Sequence, residues 1–246
     1  MKALVLFSGT GSVDRSLEAA GFQVDNLDID PKCRATWTCD IMDWDAWRDM
    51  APGTYDFIWA SPPCTEYSIA RTTAKTPRDL DGADRVVQRT LDINSHLKPL
   101  GWLMENPQTG YLRTRGVVVG LPFRDVCYCR YSCGQQHKYR KCTRLWGVLP
   151  GFVPRPLCTP SNPCDFSKDG KHPMVAQRFE STARQKLTLN NLYSMPKALC
   201  DDIAAAACRW TDAASGCGGS SSCCSPRTPP SSPCSSAGAA GDGACA

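Results

Sequence analysis

The chain reads as an α/β protein with a doubly wound, mostly parallel sheet and a very small Cys-rich insert. Three observations predict it. Short apolar runs alternate with helical periodicity over the first 120 residues. Glycine, proline or acidic residues punctuate the runs. The polar residues with chemical potential fall on those loops, at the carboxyl ends of the strands, where open parallel sheets carry their sites.

Lys2–Phe7 is the first strand and leads into a turn at Gly9-Thr10-Gly11. A helix follows over Ser12–Ala20 and stops at Gly21. Gln23–Leu27 is the second strand, ending at Asp28, and Pro31 opens a short helix. Tyr55–Ala60 reads as a buried strand running into Ser61-Pro62-Pro63-Cys64. A helix over Asp79–Leu97 precedes the strand Trp102–Met104, which ends at Glu105-Asn106-Pro107.

At 246 residues the chain has room for one large domain and a small extra element. Residues 1–147 and 187–210 form the expected catalytic domain, 148–186 a short recognition-like insert, and 211–246 a tail. The tail is rich in Gly, Ser, Pro and Ala and nearly devoid of large apolar residues, so it cannot bury enough surface to order itself. No apolar run is long enough to span a membrane. MKALVLFSGTG has too short an apolar core for a secretory signal. The expectation is an intracellular protein with no membrane association; nucleus, cytoplasm and a virus-associated location are not distinguished.

The net charge of +4 is unevenly spread. Seven aspartates, including Asp25, Asp28 and Asp30, crowd the stretch up to Asp49. From Arg113 to Arg144 eight Lys/Arg face Asp125 alone. With Tyr128, Tyr131 and Tyr139 interleaved, that segment suits a polyanion surface, with a solvated basic hairpin as the alternative.

The glycine turn and Asp28, seventeen residues past Gly11, suggest a nucleotide-like cofactor whose ribose the acid would bind. Asp14 stands where a pyrophosphate loop wants its third glycine. A carboxylate there repels phosphate but suits a cofactor bearing a sulfonium and an ammonium. S-adenosylmethionine is therefore favoured over a dinucleotide or a purely structural turn, with Asp40 as an adenine contact. Prolines before Cys64 stiffen its loop, and N–H groups of a following helix would favour its thiolate; an inert buried thiol is the alternative. Glu105, on the neighbouring strand end, is expected near Cys64. The pair suits thiolate addition to an electron-poor ring with proton delivery to a ring nitrogen. A capping or ion-paired carboxylate is the alternative for Glu105.

These residues carry a resemblance to the cytosine-C5 DNA methyltransferases, in pattern the small viral or phage members. Phe7-Ser8-Gly9-Thr10-Gly11 resembles the family's first motif, Asp28 and Ile29 its ribose-binding stretch, and Asp40-Ile41 its adenine contact. Pro63-Cys64 resembles the nucleophile loop, Glu105-Asn106 the acid-bearing motif, and Arg144-Leu145-Trp146 the later arginine motif. The resemblance runs over Met1–Gly147 and resumes near Leu187–Ala207, at Met195-Pro196. It implies a Rossmann-like methyltransferase fold, with Cys64, Glu105 and Arg144 catalytic and Phe7, Ser8, Gly9, Gly11, Asp28, Ile29, Asp40 and Ile41 around the cofactor. DNA is the implied substrate; RNA, or a catalytically silent nucleic-acid binder, is the alternative. The chain departs from the family where Cys142 replaces the first of two arginines, with Lys141 as a substitute or weaker substrate support as the alternatives, where Pro107 replaces a valine, and where the Gly-Asn of the late motif is not evident. The region from Trp146 to Leu187 is far shorter than a recognition domain, so a brief target sequence or a partner that supplies specificity is expected. Oligomeric state is not indicated.

Sixteen cysteines are too many for one explanation. Cys129 or Cys133 with Cys158, Cys164 and His172 could close a tetrahedral zinc site in a segment with little core of its own. Unliganded thiols are the alternative, with disulfides disfavoured in a reducing compartment. His137 is expected at the surface, facing phosphate.

Overall fold

The computed structural model describes residues 1–71, 74–133, 137–174 and 189–214. Five parallel strands, β1 (Lys2–Leu6), β2 (Gln23–Asp28), β3 (Trp37–Thr38), β4 (Phe57–Ala60) and β5 (Gly101–Pro107), precede two antiparallel ones, β6 (Phe123–Cys127) and β7 (Cys142–Val148). They form one sheet in the order β3-β2-β1-β4-β5-β7-β6. The helices are α1 (Ser12–Ala19), α2 (Ala46–Asp49), α3 (Leu80–Leu97), α4 (Leu189–Tyr193) and α5 (Lys197–Ala214).

Apolar residues on both faces of the central strands explain the three layers. In β1, Ala3 and Val5 join the core under α1 and α5, while Leu4 and Leu6 join the core under α3. Strands covered on both sides read as continuous apolar runs, and a period of two splits each run between the cores. Helix ends follow from local chemistry. Asp79 accepts from the Gly82 N–H at 2.7 Å to start α3, and Lys98, in the left-handed region, ends it. Ser16 of α1 donates to Asp201 of α5 at 2.9 Å, tying the last helix to the first.

Register places the functional loops side by side. Leu6 lies opposite both Leu27 and Ala60, and Ala60 lies opposite Met104. The parallel pairing of the four strands ends level, so Phe7, Asp28, Ser61 and Glu105 follow it at one edge, with β5 continuing beyond it against β7.

Several sequence expectations are corrected here. The basic segment after Arg113 supplies β6, β7 and the turns around them. Its Tyr128, Tyr131 and Tyr139 are core residues with no ring free to meet a base. His137 is buried between Tyr128 and Tyr139, its Nε2 3.2 Å from the Ser194 carbonyl and hydroxyl, not at a phosphate-facing surface. Ring burial outweighed the local excess of charge. α5 runs to Ala214, so ordered chain extends past the expected boundary at 211; residues 215–246 and part of the insert (175–186) lie outside the described residues. Among the described residues no helix is long and apolar enough to cross a membrane.

Candidate active site

Leaving β1, the chain turns sharply. Phe7, Gly9 and Gly11 all have positive φ, a conformation open to glycine at little cost and costly for Phe7. The turn is clamped by carboxylates. Asp28 accepts from the backbone N–H groups of Gly9 and Asp30, each at 2.8 Å. Buried Asp14 accepts from Ser8 Oγ at 3.0 Å and Asn26 Nδ2 at 2.7 Å, while its second oxygen meets no partner among the described residues. Beside this turn Ile29 is 65% exposed, an apolar surface at a strand end. Phe7 is half-buried. Ile41 is core, and Asp40 accepts from the Met42 N–H at 2.9 Å, holding its own turn.

Past β4, the loop of Cys64 is anchored on both sides. The Asn106 amide, fully buried, donates to the Pro62 carbonyl at 2.9 Å. Buried Tyr67 donates to Asp84 at 2.8 Å, and its carbonyl accepts from the Tyr111 N–H at 2.9 Å. Gly110 allows that approach: a Cβ there would lie 3.2 Å from the Pro107 carbonyl and 3.3 Å from that of Tyr67. Cys64 is half-buried and free.

Desolvation pushes the Cys64 thiol above its ordinary range, and the Glu105 carboxylate pushes it further. The Lys141 ammonium pulls the other way. Cys64 and Glu105 thus act on each other across adjacent strand ends. No helix begins after Cys64; residues 65–67 form a turn, and the expected thiolate-favouring helix start is absent. Burial governs this thiol instead.

Glu105 is buried, with Oε1 against the Thr143 hydroxyl, which also lies 2.9 Å from the Asn106 carbonyl. The sequence reading missed Thr143. It lies opposite Pro107 in the β5–β7 pairing, two residues from Leu145, which lies opposite Glu105. Only the antiparallel register brings it there. Arg144 lies opposite Asn106, so its side chain takes the other face of the sheet from Glu105. Its Nε and Nη2 donate to Asp125, at 2.7 and 2.9 Å, and its guanidinium covers the Phe123 ring at 3.6 Å. The structure does not bring Arg144 to Glu105.

Cys64 opens into a cavity of about 690 Å³ whose walls include Gln108, Arg140, Lys141, Lys171, His172 and Met174. Arg140, Lys141 and Lys171 bring positive charge to this lining. Behind one wall, Cys129, Cys158, Cys164 and His172 are all buried and put their ligand atoms within 4.8 Å of one another. Cys133 is exposed and is not among them. Cys127 and Cys142, opposite one another on β6 and β7 with Cα atoms 4.2 Å apart, form a disulfide where the sequence reading favoured thiols. Cross-strand pairing brought them together.

No family model matches the chain. Among solved structures, a prophage-encoded E. coli protein assigned as a DNA modification methyltransferase is 19% identical, with a TM-score of 0.46 over 64% of this chain and 51% of that one. The Entamoeba histolytica methyltransferase EhMeth is 15% identical, with a TM-score of 0.44 over 64% of this chain and 56% of that one. The chain spans about half the length of these two. A curated protein of Frog virus 3 (isolate Goorha), "Probable DNA (cytosine-5)-methyltransferase", is 33% identical over 175 residues, 67% of this chain and 78% of the viral protein. With that identity over that much of both proteins, the chain belongs to the DNA (cytosine-5)-methyltransferase family.

Proposed function

We propose that the chain methylates C5 of cytosine in DNA, with S-adenosylmethionine as donor and a covalent Cys64–C6 adduct. The observation that carries the reading is Cys64 in the lining of a cavity that also holds Arg140, Lys141 and Lys171, with the buried Glu105 on the adjacent strand acting electrostatically on its thiol. In this reading the base leaves its stack to enter that cavity. The Cys64 thiolate forms the sulfur–C6 bond while Glu105 delivers a proton to N3, and C5 becomes nucleophilic. Thr143 suits that proton inventory. Its hydroxyl can donate to the Asn106 carbonyl while accepting from a protonated Glu105. Lys141 favours the thiolate. After methylation, loss of the C5 proton to a water base expels Cys64 as thiolate, and Glu105 recovers the N3 proton. Arg144, bound to Asp125, supports β7 rather than the base.

The turn after β1 fits the donor. Phe7 and exposed Ile29 offer apolar surfaces for a purine ring, Asp28 stands at ribose-binding position, and the unpartnered oxygen of Asp14 leaves negative potential for a sulfonium. Ser8, Gly9 and Gly11 would line this turn, with Asp40 and Ile41 toward the adenine edge. When bound, the sulfonium supplies an electrophilic methyl group. The buried sulfur–imidazole cluster fits a structural zinc ion.

The test is a duplex containing 5-fluorocytosine. With donor present, the enzyme should become covalently attached through Cys64, as mapped by mass spectrometry. No adduct with DNA, with one on structured RNA, would move the substrate to RNA; none on either would leave a silent nucleic-acid binder.

A further inference from the structure

We infer that one metal ion, held by Cys129, Cys158, Cys164 and His172, builds a wall of the substrate cavity. The use of that cavity rests on the methyltransferase reading; the metal site does not.

The donor set chooses the ion. Three thiolates and an imidazole favour zinc, and four protein donors close a tetrahedral shell with no open position, so the role is structural. Zinc bonds of about 2.3 Å to sulfur and about 2.0 Å to nitrogen place neighbouring donors roughly 3.5–3.8 Å apart. His172 Nε2 lies 3.2 Å from Cys164 Sγ and 3.7 Å from Cys158 Sγ. Binding would release the thiol protons and leave the imidazole neutral.

The surroundings say why an ion is needed. Between β7 and residue 174 the chain has no helix and no strand, only isolated bridges at Thr159–Asn162 and Lys168–Lys171. The three thiols sit in a small cluster of their own, with Cys127 and the half-buried Cys142, Leu157 and Phe166. So little apolar area orders a segment poorly. Cys129 belongs to the 3-10 turn directly after β6; the other three come from the irregular segment. The ion would therefore fasten that segment to the sheet.

The fastened piece is functional. His172 itself lines the cavity that Cys64 opens into, flanked by Lys171 and near Met174 on the same wall. Releasing the ion frees this wall and its cation, while the donor turn after β1 draws on none of these residues.

The full chain, prepared with zinc, should contain one metal per chain by elemental analysis. Cobalt exchange should give the intense near-ultraviolet thiolate-to-cobalt band. Cys164→Ser should lose the metal, and Cys133→Ser should keep it. Stripping the wild-type protein with a chelator should weaken binding of a short DNA duplex about tenfold or more. Donor binding should change less than about twofold, because its turn is held by Asp14, Asn26 and Asp28 and shares no residue with the metal site. Metal near zero and no cobalt band in the wild-type protein would overturn the site without any variant having to fold. Metal present, with duplex affinity unchanged on stripping, would overturn the wall. Failure of the fluorocytosine trap with the metal-dependent affinity intact would sink the methyltransfer reading alone.

Discussion

The two sides of the cleft are built by different means. On the β1–β2 side, Asp28 clamps Gly9 from nineteen residues away and Asp14 gathers Ser8 and Asn26, all within the first thirty residues. On the β4–β5–β7 side, Asn106 reaches back 44 residues to Pro62, and Thr143 sits 38 residues from Glu105. The metal cluster spans Cys129 to His172. The donor turn is local and set by backbone geometry. The substrate side exists only once distant strands have paired. Damage to the first should therefore stay in cofactor affinity, whereas damage to the second should spread into turnover and stability.

The largest effect expected is from Cys64→Ser, which should lower turnover by about 10³-fold or more with donor affinity nearly unchanged. Single-turnover methylation and calorimetry check it; near wild-type turnover would dissolve the contrast. Asn106→Ala removes a buried bond and leaves the Pro62 carbonyl unpaired, at a cost of about 1–3 kcal/mol measured by denaturant unfolding. It should also lower kcat while leaving the donor Kd in place. Asp28→Ala frees one N–H group in the turn after β1 and one in the loop after β2, and should weaken donor binding by about tenfold with little change in duplex affinity. An equal loss in both affinities would mean that the two sides fold as one.

The smallest effect concerns proton affinity. Since Glu105 raises the Cys64 pKa and Lys141 lowers it, Glu105→Gln should move the pH midpoint of Cys64 alkylation down, and Lys141→Met should move it up. Iodoacetamide rates across pH read both. Shifts of the same sign would remove one of the two charges from the site.

The same contrast explains how much was legible in the sequence. Strand ends announced themselves at Gly9, Asp28, Cys64 and Glu105, because parallel strands in register bring consecutive loops to one edge. The Cys/His set was legible because few residue types ligate a metal. The placements of Thr143 and Arg144 were not, because β7 is antiparallel and inserted between β5 and β6. A one-residue change of face separates a side chain that meets Glu105 from one that meets Asp125. Local composition also misled: Tyr128, Tyr131 and Tyr139 lie among cations in sequence yet point inward, which only their burial reveals.

The seam between α1 and α5 constrains how the protein is made. Val13 and Leu17 share their core with Ile203, Ala204 and Ala207, so one flank of the sheet is uncovered until α5 docks. A nascent chain that has already extruded the donor turn and the Cys64 loop still displays that oily flank to the ribosome's surroundings. Maturation of the first helix must wait for the last, and a chain cut before α5 is expected to be chaperone-bound rather than partly functional.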